Sequence, residues 1–442
     1  MGRENECRNS RNRKIMKRIR HYIEENIKKL TRAGFFAIVF SNILVKVTAF
    51  CGGMLLVRVL SKYDYGVYSS VNNTLNMLTL LGDMGVGMAM MQLAQENYKK
   101  LDKYKAYCSY GLFYSIIFSL IPAVFILVSP LFYPYTIDMV ENLTVALFGF
   151  PILYNLNNYL KTNLRIHLEN KKYATINFLE TLFNYIFLLL LTFFWGIKGA
   201  IVANYCYLVC ICCLNGKFNR KILYLKQSYR RVLTRGERKQ FFKLAIPSQL
   251  NSLIGQAMVL MDVFFIGIFL IDPEVIASYK VAATIPLACA FIPQCIMIFA
   301  VPYFARNNKN KEWVLSNTKK ITCLSIVVCA SICILGVATS SWLIPFLYGN
   351  QYKDSIIYYV ILLIGFAFNG GIYIPLINII YTQRKVKISL IITIICGIAN
   401  VLLDIIGIKL WGAIGAAMAT TIVQIIGALL TAGYCIWHLK KE

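Results

Sequence analysis

The sequence contains few acidic residues and very few histidines. Of its 442 residues, only 20 are Asp or Glu and 3 are His, and charged residues of both signs make up 15%. The histidines, His21, His167 and His438, are too dispersed to suggest a metal cluster. A glycine-rich phosphate loop ending in lysine is also missing, which argues against ATP hydrolysis. We therefore expect neither an enzyme nor a bound metal or organic cofactor.

Apolar residues dominate the composition instead. They make up 58% of the chain, and the mean hydropathy of +0.60 excludes an ordinary soluble protein. Because ~20 apolar residues cross a bilayer as a helix, the sequence predicts an all-α integral membrane protein with twelve transmembrane helices. The predicted spans are 34–57, 67–93, 108–132, 140–161, 174–195, 198–214, 241–271, 276–303, 321–347, 355–380, 388–408 and 412–437.

Basic residues are concentrated on alternate connections between these spans. Of 46 Lys and Arg, 39 lie in the N-terminal segment, the even-numbered connections and the C-terminal tail. Such residues stay on the cytoplasmic side during insertion, so both termini are expected in the cytoplasm. The net charge of +26 is densest in the cytoplasmic segment 1–33 and the linker 215–240, both beside apolar spans. We interpret these two segments as binding sites for anionic membrane lipids rather than for nucleic acid.

The linker divides the chain into two six-helix bundles, 34–214 and 241–442, that resemble each other. A shift of 216 positions pairs Trp195 with Trp411 and Gly196 with Gly412. It also superimposes a Gly-Ala pair and an asparagine, although Trp and Gly-Ala recur in many membrane helices. Duplication is the favoured explanation. An even number of helices per half predicts parallel repeats with a substrate site between them, as in some secondary transporters.

Several segments occur in the order seen in one transporter family. Arg58–Tyr68 reads Arg-Val-Leu-Ser-Lys-Tyr-Asp-Tyr-Gly-Val-Tyr, Leu81–Gly85 contains Asp-x-Gly, Leu347–Tyr352 contains Tyr-Gly-x-x-Tyr, and Gly412–Ala417 closes the series. The set resembles bacterial polysaccharide flippases of the Wzx type, in the multidrug/oligosaccharidyl-lipid/polysaccharide exporter superfamily. The resemblance implies a MATE-like V of two bundles around a central cavity. It also implies a substrate made of a sugar repeat unit on undecaprenyl pyrophosphate.

Polar residues inside the spans are candidates for substrate binding, because unpaired polar groups are costly in hydrocarbon. The basic candidates are Lys46, Arg58 and Lys280, which could bind a pyrophosphate. Each also has a structural interpretation: Lys46 could pair with a buried carboxylate, Arg58 could pair with Asp64, and Lys280 could extend to lipid headgroups. The amide candidates for sugar hydroxyls include Asn73 and Asn76, which could equally join helices. Asn251 and Gln256 are further candidates, because they lie on a polar face of the seventh span that is expected to line the cavity.

Two carboxylates are candidates for ion coupling. Asp262 lies in the middle of the seventh span, after Pro247 and several polar residues, and an intramembrane carboxylate can hold a proton or sodium ion. Asp83 lies at a glycine-bearing helix end, where it could instead cap a local turn. Pro286 and Pro293 are expected to bend the eighth span, as hinges or as fixed kinks.

These observations predict a flippase that moves a lipid-linked oligosaccharide from the inner to the outer leaflet of the bacterial cytoplasmic membrane by alternating access, for surface polysaccharide synthesis. The expected partners are the polyprenyl-pyrophosphate-linked glycan, anionic lipids and the glycan polymerase machinery. The first alternative is an ion-coupled multidrug antiporter of the same fold, which fits Asp83 and Asp262. The second alternative, a membrane polysaccharide polymerase, fits poorly because no outer connection is long enough for a catalytic loop.

Overall fold

The computed structural model describes residues 35–132, 137, 139–220, 222–223, 232–307, 310–383 and 385–441, and this part of the chain is all-α. The basic segment 1–33 lies outside it. The helices are α1 (Phe35–Val59), α2 (Lys62–Thr79), α3 (Val86–Glu96), α4 (Leu101–Phe132), α5 (Val140–Val145), α6 (Phe150–Ile166), α7 (Asn170–Asn219), α8 (Arg235–Phe269), α9 (Pro273–Cys289), α10 (Phe291–Arg306), α11 (Lys311–Tyr348), α12 (Ser355–Phe368), α13 (Ile374–Thr382) and α14 (Val386–Lys441). A 3₁₀ turn covers Asn350–Tyr352, and a π-helical turn covers Asn369–Tyr373.

Seven helical stretches in the described part of the chain are long and apolar enough to cross a membrane. One of them, α7, has 50 residues and would measure about 75 Å if straight, far more than a bilayer needs. Its backbone reverses at Gly196, where φ is 58° and ψ is −141°. A Cβ atom added at Gly199 would lie 1.9 Å from the carbonyl oxygen of Leu191, so the two arms touch beside the turn. Helix α7 is therefore a hairpin of two helical arms.

The same backbone conformation occurs 216 residues later in α14. Gly412 has φ 59° and ψ −143°, nearly the values at Gly196. A Cβ at Gly415 would lie 1.9 Å from the carbonyl oxygen of Gly407, and these positions are each 216 residues after Gly199 and Leu191. Only glycine adopts such backbone angles without strain, which explains why the turn recurs with glycine at both positions.

Two further segments are interrupted near their middle. The chain from α2 to α3 breaks between Thr79 and Val86, where Met84 and Gly85 have positive φ values of 46° and 75°. The chain from α9 to α10 breaks at Ala290, between Pro286 and Pro293. Each proline removes a backbone donor, so the bend expected in the eighth span is a helix break. Broken helices expose backbone groups that can serve a binding site.

The helix connections lie at two ends of the molecule. We call one the turn end; it contains the α1–α2, α8–α9, α11–α12 connections and the Gly412 turn. There the halves touch closely, since a Cβ at Gly66 of α2 would lie 1.8 Å from the carbonyl oxygen of Pro273 in α9. The opposite, basic end contains the α3–α4 and α6–α7 connections and the start of α8. The two halves are thus packed against each other at the turn end.

At the basic end, the start of α8 packs against the N-terminal half. Thr234 and Glu237 form a capping box, in which the Thr234 hydroxyl accepts from the Glu237 N–H and the Glu237 carboxylate accepts from the Thr234 N–H. The next turn places Phe241, which is fully buried, beside Tyr107 and Tyr110 of α4, at ring distances of 6.5 and 5.2 Å. Lys103 of α4 donates to the Glu237 carboxylate. The two halves are therefore also packed against each other at the basic end, through the aromatic contact between α8 and α4.

Candidate functional site

Two adjoining cavities lie along α8. The central cavity, of about 470 Å³, lies between the two halves, and the C-half cavity, of about 450 Å³, lies within the C-terminal half. Gly255 and Val259 of α8 border both cavities. The polar residues of the central cavity are Asn76, Thr79, Asp83, Tyr154, Asn155, Asn158, Gln249 and Gln256. Those of the C-half cavity are Asp262, Tyr279, Lys280, Asn369, Tyr373, Tyr381, Thr393, Asn400, Thr420 and Gln424.

The helix break after α2 shapes the central cavity. Asp83 lies in the break, where its carboxylate oxygens accept from the Gly87 N–H at 3.3 Å each. Gln249 of α8 donates to the carbonyl of Leu80, a group that the helix end leaves without a helical partner. Asn155 of α6 is only 2% exposed, and its Nδ2 has no hydrogen-bond partner among the described residues. The cavity thus carries amide groups and a carboxylate.

A buried carboxylate pair lies at the C-half cavity, where Asp262 lines the wall. Asp262 Oδ2 accepts from the Tyr279 hydroxyl at 2.5 Å and from the Thr420 hydroxyl at 2.7 Å. Asp404, which is fully buried, interacts electrostatically with Asp262. Neither carboxylate oxygen of Asp404 has a hydrogen-bond partner among the residues that the structure describes, and the same holds for Asp262 Oδ1. Two buried carboxylates that are both ionised repel each other strongly. A shared proton, or a cation bound between them, would relieve this repulsion.

Lys280 is the basic side chain that lines the C-half cavity. It follows Tyr279 in α9 and interacts electrostatically with Asp262. The ion pairs found among the described residues do not include Lys280. Its positive charge is therefore not neutralised by an ion pair among the described residues, and an anionic ligand in the cavity would be attracted to it.

Basic residues at the turn end join the halves. Arg58 of α1 donates from Nε to the carbonyl of Leu347 at 2.8 Å and from Nη2 to the carbonyl of Phe346. These carbonyls end α11, and a cation stabilises a helix C-terminus. Lys62 pairs with Asp354 at 2.8 Å, and the Ser278 hydroxyl donates to the same carboxylate at 2.6 Å. We call these four side chains, Arg58, Lys62, Ser278 and Asp354, the turn-end contact.

The structure separates the predicted site residues into three groups. Asn76, Asp83 and Gln256 line the central cavity, and Asp262 and Lys280 line the C-half cavity. Asn73, Lys46 and Arg58 lie outside both cavities. Asn73 is buried and donates from Nδ2 to the Leu260 carbonyl at 3.0 Å, which joins α2 to α8.

Lys46 and Arg58 also lie away from the cavities. Lys46 is exposed on α1 and lines neither cavity. Arg58 binds the end of α11 rather than Asp64, whose carboxylate accepts from the Ser61 hydroxyl at 2.8 Å. Asn251 belongs to α8, but its side chain lies outside the described residues. Of the predicted basic candidates, only Lys280 thus reaches a cavity.

The predicted set of site residues omitted Asn400 and Thr420, which line the C-half cavity, and Asp404, which interacts with the lining residue Asp262. Asn400 and Asp404 are four residues apart and share a face of the first arm of α14, which the apolar sequence around them hides. Thr420 comes from the second arm and reaches them only because the chain reverses at Gly412.

Three asparagines of α6 show why spacing in the sequence does not predict which side chains line the central cavity. Asn155 and Asn158 line the central cavity, whereas the side chain of Asn157 joins helices within the N-terminal half. All three lie within four consecutive positions of one helix. Their separate roles depend on which neighbouring helix each one faces, and the sequence alone could not sort them.

Comparisons with known proteins agree with this architecture. Residues 55–357 match the model of the polysaccharide biosynthesis protein family. The comparison with curated sequences gives no match. Similar solved structures include the lipid II flippase MurJ in an inward closed conformation (16% identity, TM-score 0.72, covering 90% of this chain and 87% of that one).

Two transporters of a second kind share the fold. An inward-facing multidrug resistance MATE family transporter of the MOP superfamily is 13% identical, with a TM-score of 0.70 and coverage of 90% and 95%. A point mutant of the Vibrio cholerae MATE transporter VcmN is 12% identical, with a TM-score of 0.63 and coverage of 94% and 98%. At these identities the likeness shows the fold, and the family match covers most of the chain. This chain therefore belongs to the polysaccharide biosynthesis protein family and has the MurJ- and MATE-like fold of the MOP superfamily.

Proposed function

We propose that this protein is a flippase that moves an undecaprenyl-pyrophosphate-linked oligosaccharide from the inner to the outer leaflet of the bacterial cytoplasmic membrane, for surface polysaccharide synthesis. The observation that carries the proposal is the polar central cavity between the halves, which is packed at both ends and adjoins a cavity containing Lys280. A polar headgroup could occupy this space while its polyprenyl chain stays in lipid. Both the family and the fold are consistent with such a substrate.

The proposed architecture is twelve spans in two parallel six-helix repeats, with 34–214 and 241–442 as the bundles. It is supported by the equal backbone angles at Gly196 and Gly412, 216 residues apart. The helix breaks after Thr79 and Cys289 support it as well, since α2 and α9 begin 211 residues apart, at Lys62 and Pro273. With basic residues inside, the basic end and both termini face the cytoplasm, where segments 1–33 and 215–240 would bind anionic lipids.

Lys280 is the proposed pyrophosphate ligand. Its ammonium group lines the C-half cavity, where water exclusion strengthens its attraction for an anion. Replacement of Lys280 by methionine preserves most of the side-chain volume but removes the charge. We expect this variant to remain folded and to lose most of its flipping activity.

The buried pair Asp262 and Asp404 is the proposed coupling site. A proton or a sodium ion between these carboxylates would relieve the repulsion between them, with the Asn400 and Thr420 side chains as neutral oxygen donors. Because Lys280 interacts with Asp262, cation binding there would alter the field felt by a bound pyrophosphate. Ion binding and substrate binding would thus be coupled within one cavity.

Alternating access would proceed by rocking of the halves. In the present conformation the turn-end contact and the close approach of Gly66 to Pro273 close the outer side. Outward opening must break the Lys62–Asp354 pair and the Arg58 bonds to α11. The aromatic contact of Phe241 must then keep the basic end closed.

Deletion of the gene tests the proposal directly. We expect loss of the surface glycan, with complete lipid-linked repeat units accumulating on the inner leaflet. Single repeat units displayed outside without polymer would instead indicate a polymerase. Normal glycan with new drug sensitivity would indicate the ion-coupled multidrug antiporter, a function that the acidic groups Asp83 and Asp262 and the MATE-like fold also fit.

A flipping assay in proteoliposomes separates the coupling ions. Sodium dependence at constant pH, lost in Asp404→Asn, would identify sodium as the coupling ion. Dependence on the proton gradient at constant sodium would identify the proton. Flipping that responds to neither gradient would remove Asp262 and Asp404 from the coupling role.

A further inference from the structure

The central cavity differs in charge from the substrate that the protein is proposed to carry. A pyrophosphate is an anion, but within the described residues no Lys, Arg or His lines this cavity. Its one strongly acidic lining group, Asp83, belongs to no ion pair among those residues. A pyrophosphate placed beside Asp83 would meet a like charge in a poorly hydrated space, which is unfavourable. The pyrophosphate therefore belongs elsewhere.

The amide groups of the central cavity suit a different ligand. An amide side chain offers both donors and acceptors, as sugar hydroxyl groups require. Asn76, Asn155 and Asn158 from the N-terminal half and Gln256 from the C-terminal half supply such groups from opposite sides. A volume of about 470 Å³ lies within the range of ordinary small-molecule sites.

Asn155 gives independent support for a ligand. It is 2% exposed and lines the cavity, yet its Nδ2 finds no partner in the part of the chain that the structure describes. A buried donor without a partner is costly, and such donors commonly bind a ligand or water. A Cβ atom on Gly82 would lie 2.1 Å from this nitrogen, so the glycine leaves room for the amide at the cavity wall.

We propose that the central cavity is a glycan subsite that binds the hydroxyl groups of a sugar ring without an acidic substituent, while the pyrophosphate lies at Lys280 in the adjoining cavity. The two subsites meet at Gly255 and Val259 of α8, which line both cavities. Glycine has no side chain and valine has a short one, so little side-chain volume separates the cavities there. Asp83 accepts hydrogen bonds from sugar hydroxyls and repels a uronic acid. This inference rests on the proposed function, because it assigns the two ends of the proposed substrate.

Three synthetic probes test it with the full-length protein in nanodiscs. The first is a short-chain polyprenyl pyrophosphate that bears a neutral disaccharide, and the second has the terminal ring oxidised to a uronic acid. The third is the same lipid pyrophosphate without sugar. We expect the wild-type protein to bind the neutral probe at least about tenfold more tightly than the acidic one, which corresponds to ~1.4 kcal/mol.

The variants separate the subsites. Asp83→Asn keeps an acceptor for the Gly87 N–H and should bring the ratio between the neutral and acidic probes close to one. Asn155→Ala should weaken both sugar probes several-fold without affecting the sugar-free lipid. Lys280→Met should weaken all three probes by similar factors. Asp102→Asn changes an exposed carboxylate outside the cavity and serves as the matched control.

The outcomes distinguish this inference from the function on which it rests. Equal binding of the neutral and acidic probes by the wild-type protein would overturn the glycan subsite, as would an unchanged ratio in Asp83→Asn. Both results leave the flippase intact if all probes still bind through Lys280. Failure of every probe to bind, together with normal surface glycan after gene deletion, would overturn the proposed function itself.

Discussion

The two hairpins α7 and α14 have the same backbone and different chemistry. Gly196 and Gly412 have φ and ψ within 2° of each other, and a Cβ added to the glycine beside each turn would lie 1.9 Å from a carbonyl oxygen of the other arm. One charged position differs between them, since Asp404 corresponds to Leu188. A turn of this kind is constrained by backbone sterics, whereas a polar side chain near a cavity can change without altering the fold. The shared turn therefore accompanies a shared hairpin, while the side chains that differ determine which hairpin carries a charge.

The halves also differ in how they treat buried charge. In the N-terminal half, Glu180 accepts from Lys161 at 2.7 Å and from Asn157 at 2.9 Å, and the Asn157 side chain accepts from Asn215. In the C-terminal half, the Asp262 and Asp404 pair has no basic residue within ion-pair distance among the described residues. A buried pair of opposite charges is costly to break, while a buried pair of like charges can take up an ion.

The largest expected effect comes from filling the space beside the two turns. Gly199→Val and Gly415→Val each place a side chain against a carbonyl oxygen 1.9 Å from the new Cβ, so the hairpin arms must separate. We expect each to lower the yield of folded protein severely, measured by fluorescence size-exclusion chromatography. A Cβ at Gly216 meets nothing within 4 Å, so Gly216→Ala is the control. Normal folding of one glycine variant alone would show that the hairpins are not equivalent.

The second largest effect is expected on thermal stability when the Lys161–Glu180 ion pair of the N-terminal half is broken. Glu180→Gln leaves Lys161 buried without a counter-ion, and breaking a buried pair costs about 3–5 kcal/mol. We expect a large fall in thermal stability that the double variant Lys161→Met/Glu180→Leu largely restores. A double variant as unstable as Glu180→Gln would show that the Asn157 network, and not charge, is the cause.

A third experiment makes the C-terminal hairpin resemble its N-terminal counterpart. Asp404→Leu installs the residue found at the corresponding position 188 and removes a carboxylate without a hydrogen-bond partner among the described residues. The variant should therefore be at least as stable as the wild-type protein, because an unpaired buried polar group is removed. Its ion-stimulated flipping should fall severely in proteoliposomes. A stable variant with normal ion stimulation would place the coupling site elsewhere.

The contact between the halves at the turn end should respond more weakly. The Asp354 side chain is 46% exposed, and such ion pairs contribute about 0.2–1 kcal/mol. Lys62→Asp should therefore shift the closed population toward opening at the turn end by a factor of about 1.4 to 5. Spin-label distances across the turn end measure this shift. The reversed pair Lys62→Asp/Asp354→Lys should recover the closed population, whereas failure to recover it would show that the ion pair does not hold the halves together.

The smallest effect concerns pH at the basic end. The hydrogen bond from Lys103 holds the pKa of the Glu237 carboxyl below its usual range. The contribution of this pair to stability is therefore present above the ordinary glutamate pKa of about 4.3 and is lost as pH falls through the lower folded value. Near neutral pH the contact should not change. The labelling rate of a cysteine introduced beside Phe241 should increase only in acid. Glu237→Gln should abolish this acid-dependent increase.

Much of the architecture was predictable because it follows from local rules. Apolar runs, Gly196, Gly412 and the prolines around Ala290 mark helices, turns and breaks, and each acts through its own backbone. These apolar runs, glycines and prolines can be recognised in the sequence without knowing which helices pack together.

The candidate site was only partly predictable. Asp262, Lys280, Asp83, Asn76 and Gln256 do line the cavities, since intramembrane polar residues avoid lipid. Lys46 satisfied the same rule and yet lines neither cavity. The rule says that a polar side chain avoids lipid, but it does not say which surface of a helix faces which neighbour.

The all-α membrane-spanning class, the repeated glycine turns and the concentration of basic residues on alternate connections were already contained in the amino-acid sequence. Hydropathy, backbone sterics and charge act residue by residue, so each can be recognised without knowing its partner. Which polar groups meet depended on the folded molecule. Asp262 and Thr420 are separated by 158 residues, and Arg58 and Leu347 by 289. The rotation and packing of whole helices bring such groups together, and long-range packing, unlike an apolar run, leaves no local trace in the chain.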